Sequence, residues 1–523
     1  MAFRHVLILF AGSLMCVSFT HAQEVTESEQ RRVREIRIEI APIYSAEEAQ
    51  ESAWARFTNK YHITTRESVI RTALLFGEGD LLDQELLDAT ERTLRQFKFV
   101  NQAKIVVEPV DEQSVDVIVQ TKEAWTLEPG MNIEGGGGLR TVTLHLIDFN
   151  FLGSGRKLYL EGERESDVGN TYKVGYSDYQ MFGGRWFGNT SYQKGPLVES
   201  FFIQARLPLY SPDSKWSYGG SASALDKTVR LFEEGEESSR FQEEQVQAST
   251  FLTRSYGERF KKLKVNYSLQ YLEKDYSELG EDTTEPPPPD QANLTPSIGI
   301  SKQNISWTKQ TFINKMGMVE DFTTGMIYGG TAGWGIPIGD SLKLYKARLN
   351  FINNTELKNQ QFLKFVAVAT SEIVRNTLVS LDVKYYKHFS HHTLAAHYLI
   401  KYGYELDSSR QFQLGADSGL RGYPARSFTG EQLMLLNIED RQFWGTYSIG
   451  AEFEFGTVVF VDAGNVWEEE EDADLGDLNW SAGVGIRIGL ENFASSPILR
   501  VDYGWALGDN SGSEVTIGLE QHF

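Results

Sequence analysis

Gly419-Leu420-Arg421-Gly422-Tyr423 and Phe460-Val461-Asp462-Ala463-Gly464 stand near the end of the chain, within a long run of alternating segments punctuated by glycine. The first stretch reads as a loop. An arginine between glycines marks backbone that turns sharply or approaches something closely, because glycine takes positive φ without steric cost. The second reads as a strand over residues 458–464, with Asp462 on the face opposite Val461. If the loop folds back into a closed sheet, Arg421 meets Asp462 where little water reaches, and a charge-assisted pair holds the loop down. Taken singly, each pentapeptide also fits a tight turn or an ordinary strand.

Outward from these stretches, the chain after Trp125-Thr126-Leu127-Glu128-Pro129-Gly130 is almost purely strand and turn, with aromatics throughout. Residues 157–163, 215–224, 263–271, 342–351, 378–386 and 394–404 are long for a soluble sandwich. They suit a membrane barrel, whose strands need about 9 to 11 residues to cross and alternate lipid-facing with lumen-facing side chains. At roughly 20 to 25 residues per strand and turn, the region supports about 16 antiparallel strands. The fold class expected is therefore membrane all-β, with one small α+β domain in front.

That front domain is read over residues 23–127. Ile36, Ile38 and Ile40 alternate as in a half-buried strand, and Ser45 with Glu48 is spaced as a capping box. A helical segment over residues 46–60 follows, then another over 66–76 that ends at Gly77-Glu78-Gly79-Asp80. Asp83 is placed to cap a helix carrying Leu86, Leu87, Thr90 and Leu94. Two alternating strands close the unit, one with Ala103, Ile105 and Val107, the other with Val115, Val117 and Val119. Apart from the extra segment at 46–60, the pattern is β-α-α-β-β.

Composition narrows the function classes. Residues 1–22 read as an export signal, with Arg4 and His5 before an apolar stretch and Thr20-His21-Ala22 at the cleavage site. The apolar stretch is shorter than the about 20 residues a spanning helix needs. Cys16 is the only cysteine and is expected to leave with the signal, so no thiol chemistry or disulfide is expected. The net charge of −22 disfavours nucleic acid as a partner. Acid concentrates at residues 233–244, 278–290 and 468–474, read as solvated surface loops. His391, His392 and His397 are the densest histidines, yet no serine or aspartate stands out as their partner. No metal-ligand spacing or phosphate-binding loop appears, so no enzyme activity, metal or cofactor is expected.

Two further features mark the ends of the barrel region, residues 128–523. Gly135, Gly136, Gly137 and Gly138 fall where its first strand belongs, and four glycines there would pair weakly. They read either as a hinge or as a lateral gate between first and last strands. At the other end, Ile517, Leu519 and Gln521 share a face with Phe523, and Gly518 lies on the other. Gly518 and Phe523 are read as an assembly signal with a terminal interfacial aromatic.

Taken together these stretches resemble the Omp85 superfamily, which includes the bacterial surface antigen D15 and BamA/TamA-like proteins. Gly419-Leu420-Arg421-Gly422-Tyr423 is similar to that family's sixth extracellular loop signature, and Phe460, Asp462 and Gly464 to the inner-wall strand that receives it. Residues 64–122 resemble a POTRA domain. Asn150-Phe151-Leu152-Gly153-Ser154-Gly155 resembles the turn after the first barrel strand, and Leu499-Arg500-Val501-Asp502-Tyr503-Gly504 the penultimate strand. The resemblance implies an outer-membrane protein of Gram-negative type with a periplasmic N-terminal domain. Its implied role is insertion, assembly or translocation of unfolded or extended client polypeptides, amid the lipid bilayer and lipopolysaccharide. A passive pore or surface antigen, with the N-terminal domain as anchor, is the alternative. The chain has room for one POTRA-like domain, where assembly-machine members of the family carry several.

Overall fold

The computed structural model describes residues 31–523 except 137–138, 234–235, 280–286, 312, 317–319, 342, 359, 373–375, 408–409, 417, 450, 491–497 and 509–511. The expected signal and Cys16 lie outside the described residues.

Residues 32–123 form a small α+β unit. Its elements are β1 (Arg32–Ala41), α1 (Ala46–Glu51), α2 (Ala53–Tyr61), α3 (Glu67–Ala73), α4 (Gln84–Gln96), β2 (Val100–Pro109) and β3 (Ser114–Glu123). The sheet order is β1-β3-β2, with β1 parallel and β2 antiparallel to β3. Alternation on β3 sends Val115, Val117 and Val119 into a core with Val69, Ile70, Leu87 and Leu94. Each fully buried side chain of this kind contributes about 2 kcal/mol. Ser45 and Glu48 form the capping box of α1. The segment expected as one helix is two. Ser52 takes an extended conformation (φ −115, ψ 125) and its side chain accepts from Ala55 N, which starts α2 afresh.

Among the described residues, twenty strands then run in order round the barrel, from Leu127–Gly136 to Ser513–Leu519, and each strand pairs antiparallel with the next. The expected count of about 16 is too low. Several hairpins turn within three residues, as between Arg156–Glu165 and Gly169–Met181, so the repeat is shorter than assumed. An even strand number returns the chain to the end of the barrel that carries the α+β unit. Outward positions are apolar at alternate residues: Leu144 and Leu146, Tyr172 and Val174, Phe201 and Ile203 are all exposed. This is the lipid-facing pattern of a membrane barrel. The five strands between Trp216 and Pro337 are 18 to 22 residues long and so extend beyond the span a bilayer needs.

The acidic stretch at 233–244 is largely strand, where a loop was expected. Glu236–Gly257 pairs with Trp216–Glu233, and Glu243 is buried 3.1 Å from both Lys227 and Lys274. Alternation turns that carboxylate toward cations on both neighbouring strands.

The unit is fastened to the turn at residues 150–155, which follows the second barrel strand, Leu139–Asp148, and not the first as expected, because a first hairpin precedes it. Arg66 N donates to Gly153 O at 2.9 Å, and Asn150 Nδ2 donates to Thr65 Oγ1 at 2.8 Å. A Cβ on Gly153 would strike the Thr64 carbonyl, so this turn requires glycine. A second fastening joins Asp83, the cap of α4, to Arg259 of a neighbouring turn at 2.8 and 2.5 Å.

Candidate functional site

Between strands His392–Tyr404 and Gln432–Ile449 the chain makes a long excursion containing a short hairpin, Phe412–Leu414 with Phe428–Gly430. This loop folds into the barrel. Gly419 (φ +123) and Gly422 (φ +98) take conformations that favour glycine, and between them Leu420 and Arg421 are both 0% exposed. Gly422 also lies against the wall. A Cβ there would come 2.9 Å from Ala506 N, and one on Gly504 would come 2.8 Å from Gly422 N. Leu420 and Tyr423 join Leu414, Leu433, Leu435, Val466 and Ala506 in an apolar cluster. The Tyr423 hydroxyl donates to Trp480 O at 3.1 Å.

Arg421 is the centre of the site. Its Nε and Nη2 donate to the two carboxylate oxygens of Asp462, both at 2.8 Å, while Nη1 reaches Glu439 Oε1 at 2.6 Å and Asp502 Oδ2 at 3.0 Å. The guanidinium carbon stands 3.4 Å over the Phe460 ring. On this strand Phe460, Asp462 and Gly464 face inward, and Val459 and Val461 are exposed outside. Gly464 leaves room for Leu414 of the loop, because a Cβ would come 2.8 Å from its methyl group. All three inner-wall positions read from sequence therefore touch the loop.

The carboxylates are themselves held. Asn437 Nδ2 donates to Asp462 Oδ1 and to Gly419 O, each at 2.8 Å. Arg441 Nε donates to Glu439 Oε2 at 2.8 Å, and Arg487 Nη1 to Asp502 Oδ1 at 2.5 Å. Arg500 stands 3.5 Å from Asp502. Four guanidinium groups thus face three buried carboxylates in one connected network. Buried charges persist only when paired and hydrogen-bonded in this way. Sequence reading singled out neither Asn437, Glu439 and Arg441 nor Arg487. The first three alternate with Ile438 and Asp440, a period-two signal that was there to be read.

The loop is also anchored across the lumen. Gln411 exchanges hydrogen bonds of 2.9 Å with the backbone N–H and carbonyl of Phe232, and the Arg426 guanidinium stacks 4.2 Å over the Phe232 ring. It therefore spans the barrel interior from one wall to another.

The predicted gate and assembly-signal residues lie differently from expectation. Gly135 and Gly136 end the first barrel strand opposite Arg140 and Leu139, at the tip of its hairpin; Gly137 and Gly138 lie outside the described residues. The first strand's body, from Leu127 to Glu134, pairs fully with its neighbour, so the glycines do not run along it. Gly518 faces inward beneath the Arg500 guanidinium, 2.7 Å from where a Cβ would sit. Phe523 is not an interfacial anchor on the last strand. The strand ends at Leu519, and Glu520 at φ +69 turns the tail into the lumen. There the Phe523 ring stacks 5.2 Å from His397 and lies 4.7 Å from the Arg441 guanidinium, while Gln521 accepts from Arg487 Nε at 3.2 Å. His522 Nε2 lies 3.4 Å from Gly419 O, so tail and loop touch. Of the remaining histidines, His392 is 2.6 Å from Asp440, and His391 is beside Ser390 at 2.9 Å.

Compared with known proteins, the family described as the Omp85 superfamily domain matches residues 150–523. No curated protein matches the chain. Among solved structures, BamA from Haemophilus ducreyi lacking POTRA domains 1–3 aligns at 15% identity and a TM-score of 0.40, covering 94% of this chain and 84% of that one. CdiB from Acinetobacter baumannii aligns at 14% identity and 0.45, covering 94% and 74%. CdiB from Escherichia coli aligns at 13% and 0.46, covering 94% and 77%.

Proposed function

This chain belongs to the Omp85 superfamily, and on that premise we propose that it assists the insertion, assembly or translocation of client polypeptides at the outer membrane of a Gram-negative bacterium. The observation that carries the reading is the loop seated by Arg421 across the barrel interior, which makes the wall and its edges the working surface in place of an open channel. The N-terminal α+β unit is read as a periplasmic POTRA-like domain. In its sheet β2 is an edge, and no strand pairs with its outer side among the described residues. An extended client adds there through main-chain hydrogen bonds that demand little of its sequence.

The second step belongs to the barrel seam. The last strand, Ser513–Leu519, has seven residues against the ten of Leu127–Gly136 beside it. Its tail leaves the wall for the lumen, and the seam where this short strand meets the first one is where a client strand would add. An unpaired edge in lipid is costly and readily accepts a strand. The bilayer and the lipopolysaccharide of the outer leaflet are its lipid partners. No chemistry and no cofactor are assigned to it: His397 is occupied in packing on Phe523, and His392 in a wall pair with Asp440.

Depletion in cells, with quantitation of every other outer-membrane and surface protein, tests this reading. Unchanged levels of all of them would sink it. Conductance in planar bilayers separates the rival passive pore, which predicts a large, steady, ohmic current, from a plugged barrel with small, erratic openings.

A further inference from the structure

Helix α2 carries Trp54, Phe57 and Tyr61, spacings of three and four residues that a 3.6-residue turn brings to one face. That face is bare. Trp54 is 37% exposed, Phe57 47%, Tyr61 58% and the following Ile63 53%. The rings are already assembled, with centroids 5.8 Å apart between Trp54 and Phe57 and 4.7 Å between Phe57 and Tyr61. Ala55 and Thr58, on the flank turned inward, are buried. Arg56 and Lys60, on the other flank, are exposed, and Lys60 Nζ lies 5.4 Å over the Tyr61 ring. These are the only charged residues of α2, and both are cationic in a chain whose net charge is −22.

The stripe runs into the lipid-facing wall. Directly after α2, the His62 side chain contacts Glu123, and its ring lies 6.2 Å from Trp125, two residues before Leu127 of the first barrel strand. Arg66 is hydrogen-bonded to Gly153, and a Cβ on Gly153 would lie 3.4 Å from an Ile63 methyl group. Beside Gly153, Phe151 and Leu152 are exposed, and Leu127, Leu144 and Leu146 continue the apolar surface up the wall. The aromatic face of α2 therefore extends a surface that lipid already covers.

We propose that α2 is an interfacial anchor whose occupant is the bilayer surface at the barrel end that carries the N-terminal unit. Its rings enter the headgroup–acyl boundary, where Lys60 reaches lipid phosphates together with the Arg56 nitrogens that Ala49 O and Gln50 O leave over, Nη1 being bonded to those carbonyls at 3.1 and 2.9 Å. Aromatic residues on one face with flanking cations are the composition of helices that lie in this zone. The anchor fixes the N-terminal unit against the membrane beside the barrel seam, which holds an edge strand such as β2 near the first barrel strand.

With Cys16 as its only cysteine, the exported chain accepts single labels cleanly. Phe57→Cys, Trp54→Cys and, as control, Gln113→Cys in the turn at the far end of β3 would each carry an environment-sensitive fluorophore. The labelled full-length proteins are reconstituted in vesicles of phosphatidylethanolamine and phosphatidylglycerol. Nitroxide lipids are expected to quench positions 57 and 54 about threefold or more above position 113, with aqueous iodide giving the reverse order, as for a helix buried at the headgroup boundary. Quenching at 57 and 54 equal to that at 113 would overturn the proposal, because the stripe would then face water. Protection from both quenchers would overturn it too, because a protein surface would then cover the stripe. Two labelled sites guard against one variant failing to fold.

Discussion

Arg421 and Asp462 meet through two parallel N–H···O contacts of 2.8 Å, with neither side chain exposed to solvent. One residue belongs to a loop and the other to the wall, so this pair decides whether the loop is seated. Removing one partner of a buried pair costs about 3 to 5 kcal/mol, because the other is left charged and unpaired. Arg421→Ala leaves Asp462, Glu439 and Asp502 facing one another and is expected to unseat the loop. Trypsin added outside cells should then cut faster at Arg426, whose guanidinium the seated loop stacks over Phe232. Arg421→Lys should fare little better, since one ammonium cannot supply the planar fork that spans three carboxylates. In a double-mutant cycle with Asp462→Ala, effects that simply add would show that the pair is not coupled.

Gly504 makes a second, charge-independent demand on the same seat. Its missing side chain is where Gly422 N and Arg421 C approach, 2.8 and 3.0 Å from a Cβ position. Contacts that close force backbone apart, and overpacking of this kind costs about 1 to 3 kcal/mol. Gly504→Ala is therefore expected to raise loop cleavage while every charge stays in place. Val459→Ala, outside on the same barrel wall, serves as the control. Wild-type cleavage rates in Gly504→Ala would show that the loop does not press on the wall there.

The inward face of the receiving strand was legible because alternation alone fixes it: Phe460, Asp462 and Gly464 share a parity, and the glycines around Arg421 mark its turn. Asp502 was quoted only as part of a strand motif. Its meeting with Arg421 depends on the registers of three strand pairs, and register is not written in one strand's own pattern. The strand count failed for a related reason, since turns of a few residues leave little sign between two alternating runs. The tail was illegible for another. Glu520 adopts positive φ without being glycine, so nothing in its residue type announced that Phe523 would leave the wall.

Docking of the N-terminal unit should depend on acid. The Arg259 side-chain hydrogen bonds hold the Asp83 carboxyl below the usual aspartate range, against the opposing effect of burial. A depressed carboxyl pKa stabilises the docked state above the free-chain value of about 4, and that stability is lost as pH falls through the lower docked value. The distance between spin labels on Gln113→Cys and on a barrel loop should broaden between pH 5 and about pH 3. Asp83→Asn should be broader than wild type already at pH 7, with Arg259 left to Asp213 at 2.9 Å and Glu85 at 3.1 Å. A distribution unchanged by acid would mean that the unit is held without Asp83, by the Asn150 and Gly153 contacts together with Arg95, whose guanidinium donates to both carboxylate oxygens of Asp321 at 2.8 and 3.0 Å.

Loop seating should respond to pH in the opposite sense. Glu431 lies at the outer base of the loop, where burial, then its hydrogen bond to Glu468 and the charge of Glu468, push its carboxyl up to about 7. A carboxyl whose pKa is raised in the seated state binds its proton more tightly there than in a free chain. Seating is thus favoured below the free value of about 4.5, and the advantage declines as pH rises through about 7. Above that, Glu431 and Glu468 both carry charge and repel. Trypsin cleavage at the loop, corrected for the enzyme's own pH profile on a free peptide, should be faster at pH 8 than at pH 6. Glu431→Gln removes the titrating group and should flatten the difference; a pH dependence that survives it would place the sensitive group elsewhere in the loop.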